Sequence, residues 1–321
     1  MNAQARVQSA ATAGSQLSAF GQDVLDGLSR PQKRLPSKWL YDEEGSRLFE
    51  AITELPEYYP TRTERAILEH VAPEIAAEIS PGAALVEFGS GASVKTRLVL
   101  DAAPQIAVYV PVDISLEQLE ESAAELRRAY PALTVAPLAG DFTQGLKLPA
   151  AAESRPRTGF FPGSTIGNFE AVEAVRFLST ASTLLGEGAY LLIGADLVKD
   201  PQVLIDAYDD AQGVTAAFNK NLLARINREL DGGFDLDAFA HEARWNGAQS
   251  RIEMHLRSLK PQTVRVGSNE FEFEEGETIH TENSHKFTRD GFASLAEEAG
   301  WRQDRVWTDE RALFAVVLLK S

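Results

Sequence analysis

Leu85-Val86-Glu87-Phe88-Gly89-Ser90-Gly91 joins a short apolar run to a paired-glycine turn, and a helical pattern over Lys95–Ala102 follows directly. A strand feeding a glycine turn and then a helix lets the backbone approach a ligand, and the helix start supplies free N–H groups. The third glycine of the dinucleotide pattern is absent, because Ser93 and Val94 stand there. Alone, such a pair is often a plain turn. Two later strand ends raise its meaning. Asp113 closes a second apolar run, Ile106–Val112, 22 residues after Gly91, where a carboxylate can accept both hydroxyls of a ribose. Gly140-Asp141-Phe142 closes a third run, Leu133–Leu138, where an acidic group can take an adenine amine and Phe142 can pack on the ring. Together they predict an adenosine-containing ligand.

Outward from this turn the chain alternates. Helical patterns cover Thr63–Ile79 before it and Leu116–Ala129 after the second strand. Gly159–Phe161 is a fourth strand, a helix runs to about Leu185, and Ala189–Ile193 is a fifth strand ending in Gly194-Ala195-Asp196. Such alternation predicts a parallel sheet with helices on both faces. Trp301–Trp307 and Ala312–Leu319 are joined by too few residues for a parallel crossover, so they form an antiparallel hairpin at the sheet's far edge. The degenerate glycine turn and this hairpin favour S-adenosylmethionine (SAM) over NAD. Pro201–Leu230 reads as helical, with Val214, Phe218, Leu222, Ile226 and Leu230 forming one buried stripe. β-type segments follow at Arg251–Arg257, Thr263–Val266 and Glu270–Phe273. With the N-terminal segment, this insertion has the size of a second module.

Composition narrows the partners. The 321 residues carry a formal net charge of −16, with 47 acidic against 31 basic side chains. Such a surface repels phosphate backbones and anionic lipid, so no nucleic acid and no membrane is expected as a partner. With no cysteine, thiolate metal sites and cysteine nucleophiles are ruled out. The five histidines show no metal-ligand spacing, so no metal is expected. Met1–Phe20 lacks the unbroken apolar stretch of a signal peptide, and no run reaches the ~20 apolar residues of a membrane span. The cytoplasm is the default location, and a monomer is expected because no long apolar stripe is left exposed.

Three further groups can carry chemistry. Lys95, in the first turn of the helix after the glycines, can pair with a methionine carboxylate or remain a solvated surface lysine. Gly163-Ser164-Thr165-Ile166-Gly167-Asn168 follows the fourth strand, outside the carboxyl end of the sheet where ligands sit. Asn168 can accept from an amine and donate to a carboxylate, or cap the next helix; spacing alone does not choose. In an extended Glu282-Asn283-Ser284, Glu282 and Ser284 share a face about 7 Å apart and can grip two ring nitrogens of a small heterocycle. The same residues are also acceptable as a surface turn.

Several stretches then coincide in order: Lys38-Trp-Leu-Tyr41-Asp42, Leu55-Pro-Glu-Tyr58-Tyr59-Pro60-Thr-Arg-Thr-Glu64, Glu87–Gly91, Gly163–Asn168, Asp196-Leu-Val-Lys199-Asp200, Ala207-Tyr208-Asp-Asp-Ala211 and Ala216-Ala-Phe218-Asn219. From about Leu35 to the C-terminus the chain resembles the histidine-specific Nα-methyltransferases of ergothioneine biosynthesis. The resemblance implies an α/β fold: a class I SAM-methyltransferase Rossmann-like sheet with an antiparallel C-terminal hairpin, plus an α+β substrate-binding domain. That substrate-binding domain would comprise residues 1–60 with 197–286, and the SAM-binding domain 61–196 with 287–321. It further implies that Tyr58, Asn168 and Tyr208 hold the amino-acid end of L-histidine, that Glu282 and Ser284 grip the imidazole, and that Gly163, Met254 and Phe218 line the pocket. Tyr41 would lie near both substrate and methyl donor, and with Tyr58 and Asn168 would stand at the reacting nitrogen. The SAM side falls on Tyr41, Gly89, Lys95, Asp113, Asp141 and Phe142. Three methyl transfers to the α-amine would give hercynine. One rival is the same chemistry on another amino acid such as tryptophan; another is a non-catalytic adenosine-binding module.

Overall fold

The computed structural model describes residues 18–91, 94–114 and 116–321. The sequence readings for Met1–Gln16 and Ser93 lie outside the described residues. The chain opens with α1 (Ala19–Leu28), a 3-10 turn (Ser37–Leu40), α2 (Glu43–Thr53) and α3 (Tyr59–Glu78). The alternating part follows as β1 (Ala84–Phe88), α4 (Val94–Ala102), β2 (Val108–Asp113), α5 (Leu116–Ala129), β3 (Thr134–Val135), β4 (Leu138–Ala139), α6 (Ala150–Glu153), β5 (Arg157–Phe161), α7 (Ala171–Leu185) and β6 (Tyr190–Asp196). Next come α8 (Pro201–Tyr208), α9 (Val214–Glu229), β7 (Phe239–Asn246), β8 (Arg251–Ser258), β9 (Gln262–Val266), β10 (Asn269–Phe273) and β11 (Thr278–His285). The chain ends with α10 (Arg289–Glu298), β12 (Arg302–Thr308) and β13 (Phe314–Lys320).

The main sheet runs β12-β13-β6-β5-β1-β2-β3, with β4 also on β2. β1, β2, β5 and β6 pair in parallel, whereas β13 is antiparallel to both β6 and β12. Alternate residues of each strand feed two cores. Ala84, Val86, Val108, Val110 and Val112 pack against α7 and α10 residues such as Phe177 and Phe292. Leu85, Tyr109, Val316 and Leu318 pack against α3, α4 and α5 through Leu68, Val99 and Leu126. Each such side chain contributes roughly 1.5–3 kcal/mol by leaving water, which fixes the strands and the turns at their ends.

A third core draws on both flanks of the chain, from Phe20, Leu40 and Tyr59 to Leu222, Met254 and Ile279. It sits over the antiparallel sheet β11-β8-β7. Residues 33–35 cover the outer edge of β11, through Leu35 N–H to His280 O (2.8 Å) and His280 N–H to Lys33 O (2.9 Å).

Three readings change. Helix α3 begins at Tyr59, not Thr63, because Pro60 lies in its first turn, where the missing N–H costs nothing. Pro201–Leu230 is two helices. Asp210 accepts from Val214 N–H (3.0 Å) and Thr215 N–H (2.7 Å) and so starts α9 afresh after a left-handed Gly213. The third strand is split into β3 and β4.

Candidate active site

The glycine turn lies at the carboxyl end of β1. Gly89 has φ +70°, a region that strains any residue with a Cβ, and a Cβ there would sit 3.7 Å from the Phe142 ring. Its N–H donates to Val112 O (2.8 Å), locking the turn to the end of β2, where Asp113 stands. Asp141 is oriented by Thr143, whose N–H donates to its Oδ1 at 2.9 Å. Phe142 is anchored edge-on to Phe88 and Phe177, with ring centres 6.2 and 5.6 Å away. Glu87 is buried beneath the turn and accepts from Thr96 Oγ1 (2.6 Å) and the Tyr109 hydroxyl. Burial pushes its carboxyl up to about 7, against those two hydrogen bonds. A backbone cradle with a strand-end carboxylate on one side and an aromatic ring on the other fits an adenosine ligand.

Lys95 is neither solvated nor unengaged: it forms an ion pair with Glu64, whose side chain is buried. Glu64 also accepts from the Gly163 N–H, at 3.0 and 2.9 Å from its two oxygens. One carboxylate on α3 thus ties the helix after the glycine turn to the Gly163–Asn168 loop. That loop is also clamped from the far side. A Cβ on Gly167 would lie 2.8 Å from the His285 carbonyl oxygen, so only glycine permits this approach to β11. His285 Nδ1–H donates to Gly167 O (2.9 Å). Asn168 is not the cap of α7; Glu170 holds that place in a capping box with Glu173. The Asn168 side chain is half-buried and makes no hydrogen bond among the described residues.

Above this edge, aromatic rings form a wall. Tyr41 lies edge-on to Phe49 and Phe218, each 5.4 Å between centres, and Tyr58 lies edge-on to Phe49 (6.1 Å) and Tyr208 (6.0 Å). Burial, followed by the neighbouring carboxylates and phenols, holds the Tyr41, Tyr58 and Tyr208 hydroxyls protonated far above their ordinary range. They are neutral hydroxyls, able to donate.

Strand β11 supplies the other wall. A bulge between His280 and Glu282 changes which way the strand faces. His280 pairs with His255, but after the bulge Glu282 stands opposite Met254 and Ser284 opposite Ile252, both on the buried face. The expected shared face for Glu282 and Ser284 is therefore present. Tyr208 and Ser284 hydroxyls are hydrogen-bonded at 2.7 Å. Glu282 is buried, and its Oε2 has no hydrogen-bond partner. Burial raises its carboxyl to about 7, with Lys286 pulling the other way.

Glu282 and Glu87 share one consequence. Between 4.5, the ordinary value, and about 7, the folded protein keeps protons that the unfolded chain has released. Their contribution to stability is complete below 4.5 and is lost as pH rises toward 7. Melting curves of the ligand-free protein from about pH 5.5 to 7.5 are expected to show this slope, and Glu282→Gln to reduce it. An unaltered slope in that variant would contradict the buried, protonating Glu282.

Several participants had no role assigned from sequence. Asp196, at the end of β6, is buried with Lys286 (2.8 Å), Lys199 and the Tyr59 hydroxyl (2.8 and 2.7 Å). Burial raises its carboxyl, but Lys286 and Lys199 outweigh this and hold it below the ordinary value. Lys286 had a signal: it continues the alternation 282, 284, 286. Glu64 had only its place at the end of the Leu55–Glu64 stretch, and Phe49 none beyond its place in a helix. The register also gathers Glu253, His255 and His280, with potential ligand atoms within 4.8 Å of one another, although no spacing in the sequence shows it. They lie on the sheet face opposite Met254, and Glu253 Oε1 already accepts from Arg251 (2.8 Å) and Asn246 (2.9 Å).

A class I SAM-dependent methyltransferase is the class of protein defined here, since the sheet is parallel through β6 and closes with an antiparallel hairpin beside a glycine turn. Residues 20–321 match the family described as histidine-specific methyltransferase, SAM-dependent, and the chain belongs to that family. A histidine N-alpha-methyltransferase of Mycolicibacterium smegmatis is 46% identical over 95% of this chain and 96% of its own length. Ergothioneine biosynthesis protein 1 of Neurospora crassa is 36% identical over 63% of this chain and 24% of its own length. An L-tryptophan methyltransferase of Psilocybe serbica is 26% identical over 92% of this chain and 93% of its own.

Proposed function

We propose that this enzyme transfers three methyl groups from SAM to the α-amino nitrogen of L-histidine, giving N,N,N-trimethylhistidine (hercynine), the first step of ergothioneine biosynthesis. The observation that carries the choice of substrate is the buried, partnerless Glu282 Oε2 on the same face as Ser284. An imidazole offers one N–H to the carboxylate and one ring nitrogen to a hydroxyl donor. Tryptophan is the second reading, because a relative is named for it. An indole has an N–H and no ring acceptor, so the hydroxyl donor would be left buried and unsatisfied, at roughly 1–3 kcal/mol.

In this reading Tyr58, Asn168 and Tyr208 hold the amino and carboxylate groups, and Phe218, Met254 and Gly163 shape the pocket. Gly89, Asp113, Asp141 and Phe142 would hold the nucleoside of SAM, with Lys95 and Tyr41 toward its methionine end. SAM, when bound, supplies an electrophilic methyl group on a sulfonium. The protein's work is then alignment and exclusion of water. Asn168 and Tyr58 orient the neutral amine's lone pair, and solvent takes the amine proton between transfers. The wall of Tyr41, Phe49 and Phe218 accommodates the growing cation by cation–π attraction. Such a displacement needs no Lewis acid, and no metal is assigned. The substrate module is assigned to 1–60 with 197–286, and the SAM module to 61–196 with 287–321, in a cytoplasmic monomer with neither nucleic acid nor membrane as a partner. No helix among the described residues is long and apolar enough to cross a membrane. A panel of free amino acids with SAM, read by S-adenosylhomocysteine release, tests the choice: histidine should lead tryptophan clearly, and preference for tryptophan would overturn it.

A further inference from the structure

Lys286 is completely buried, and three acceptors surround its ammonium: Asp196 Oδ2 at 2.8 Å, Ser284 Oγ at 2.6 Å and the Tyr208 hydroxyl at 3.2 Å. The ammonium also lies over the Tyr208 ring, 4.7 Å from its centre. An ammonium has three N–H donors and no acceptor, so all three are used here. Both hydroxyl oxygens must therefore accept from Lys286. The two hydroxyls are also bonded to each other, and that bond consumes one of their two protons. The remaining proton cannot be taken by Lys286, which has no acceptor, and is left free to donate to a ligand. The pocket thus presents a fixed polarity, with an acceptor at Glu282 and a donor at the Ser284–Tyr208 pair.

From this geometry we propose that Lys286, held by Asp196, is a positioning residue for substrate specificity: it orders the Ser284–Tyr208 hydroxyl pair so that one O–H is always offered to the second ring nitrogen of a neutral imidazole. The inference rests on the histidine reading given above. Without Lys286 the lone pairs it occupied on the two oxygens are released, and a hydroxyl can turn one of them toward the ring nitrogen, where two acceptors repel. Asp196 supplies the counter-charge that keeps the ammonium in place. Lys199, on Oδ1, and the Tyr59 hydroxyl, which reaches both oxygens, complete the carboxylate's side-chain partners.

The test is a double-mutant cycle on the full chain between Lys286→Met and Ser284→Ala, following kcat and KM for histidine and the affinity for S-adenosylhomocysteine. Lys286→Met alone is expected to raise the KM for histidine about tenfold to a hundredfold, with kcat lowered less and S-adenosylhomocysteine affinity kept. Added to Ser284→Ala, it should cost little more, because its target is already gone. An amino acid whose ring lacks the second nitrogen, such as a pyrrolyl analogue of histidine, should show little difference between the parent and Lys286→Met. If Lys286→Met does not fold, Lys286→Gln serves: it is one atom shorter and uncharged but retains an N–H donor, and its KM should lie between those of parent and Ser284→Ala. Effects that add fully in the cycle, or that appear equally with the pyrrolyl analogue, would overturn the role of Lys286. Absence of histidine turnover in the parent protein would instead overturn the reading beneath it.

Discussion

Glu282→Ala is expected to lower kcat/KM for histidine by about a hundredfold or more while leaving SAM affinity essentially unchanged. Glu282 is the acidic side chain of the pocket face of β11, and its Oε2 has no partner within the protein. The ring N–H of a bound imidazole would otherwise lose its water without compensation. A hydrogen bond to a charged group is worth roughly 1.5–3 kcal/mol, and an unsatisfied buried donor costs a similar amount. Steady-state kinetics with histidine, beside calorimetry with SAM, separates the two. Near-parent kinetics would remove the ring-gripping role, and a parallel loss of SAM binding would show that the variant disturbs the whole edge of the sheet.

Asp196→Ala is expected to have the largest effect on stability. It strands two buried ammonium groups, Lys286 with a fully buried side chain and Lys199 with one that is 8% exposed, together with the Tyr59 hydroxyl. Burial already lowers Lys199 to about 8, with Asp196 as the main opposing influence, so loss of the carboxylate leaves it still less able to hold its charge. Removing one partner of a buried ion pair costs roughly 3–5 kcal/mol, which for a chain of this size is a fall in Tm of roughly five to eight degrees. Asp196→Ala combined with Lys286→Met should recover part of that loss, because the stranded charge goes with it. Urea unfolding gives the measurement; a loss below about 1 kcal/mol would contradict the buried network.

The fold was legible because its signals are local. Leu85–Gly91, Asp113 and the short connection between the last two strands each restrict the backbone within a few residues. The parallel sheet and its antiparallel close follow from those restrictions. Glu282 and Ser284 were legible as a pair because strand periodicity places them together, although the bulge before Glu282 could not be read. That bulge decides which face of β11 they occupy and leaves His280 on the other. Glu64 was out of reach for another reason. It joins Lys95 to Gly163 across 31 and 99 residues of sequence, and nothing in a helical glutamate announces such a contact. The break at Asp210 was hidden because the apolar stripe from Val214 to Leu230 dominates the pattern and masks the capping carboxylate just before it.

The most direct measurement is mass spectrometry of the products after incubation of the protein with SAM and L-histidine, with fragmentation to locate the added groups. The expected result is histidine carrying one, two and finally three methyl groups, all on the α-nitrogen and none on the ring. Methylation confined to the imidazole, or no methylation of histidine while tryptophan is converted, would contradict the assignment of Glu282 and Ser284 as the grip on the ring.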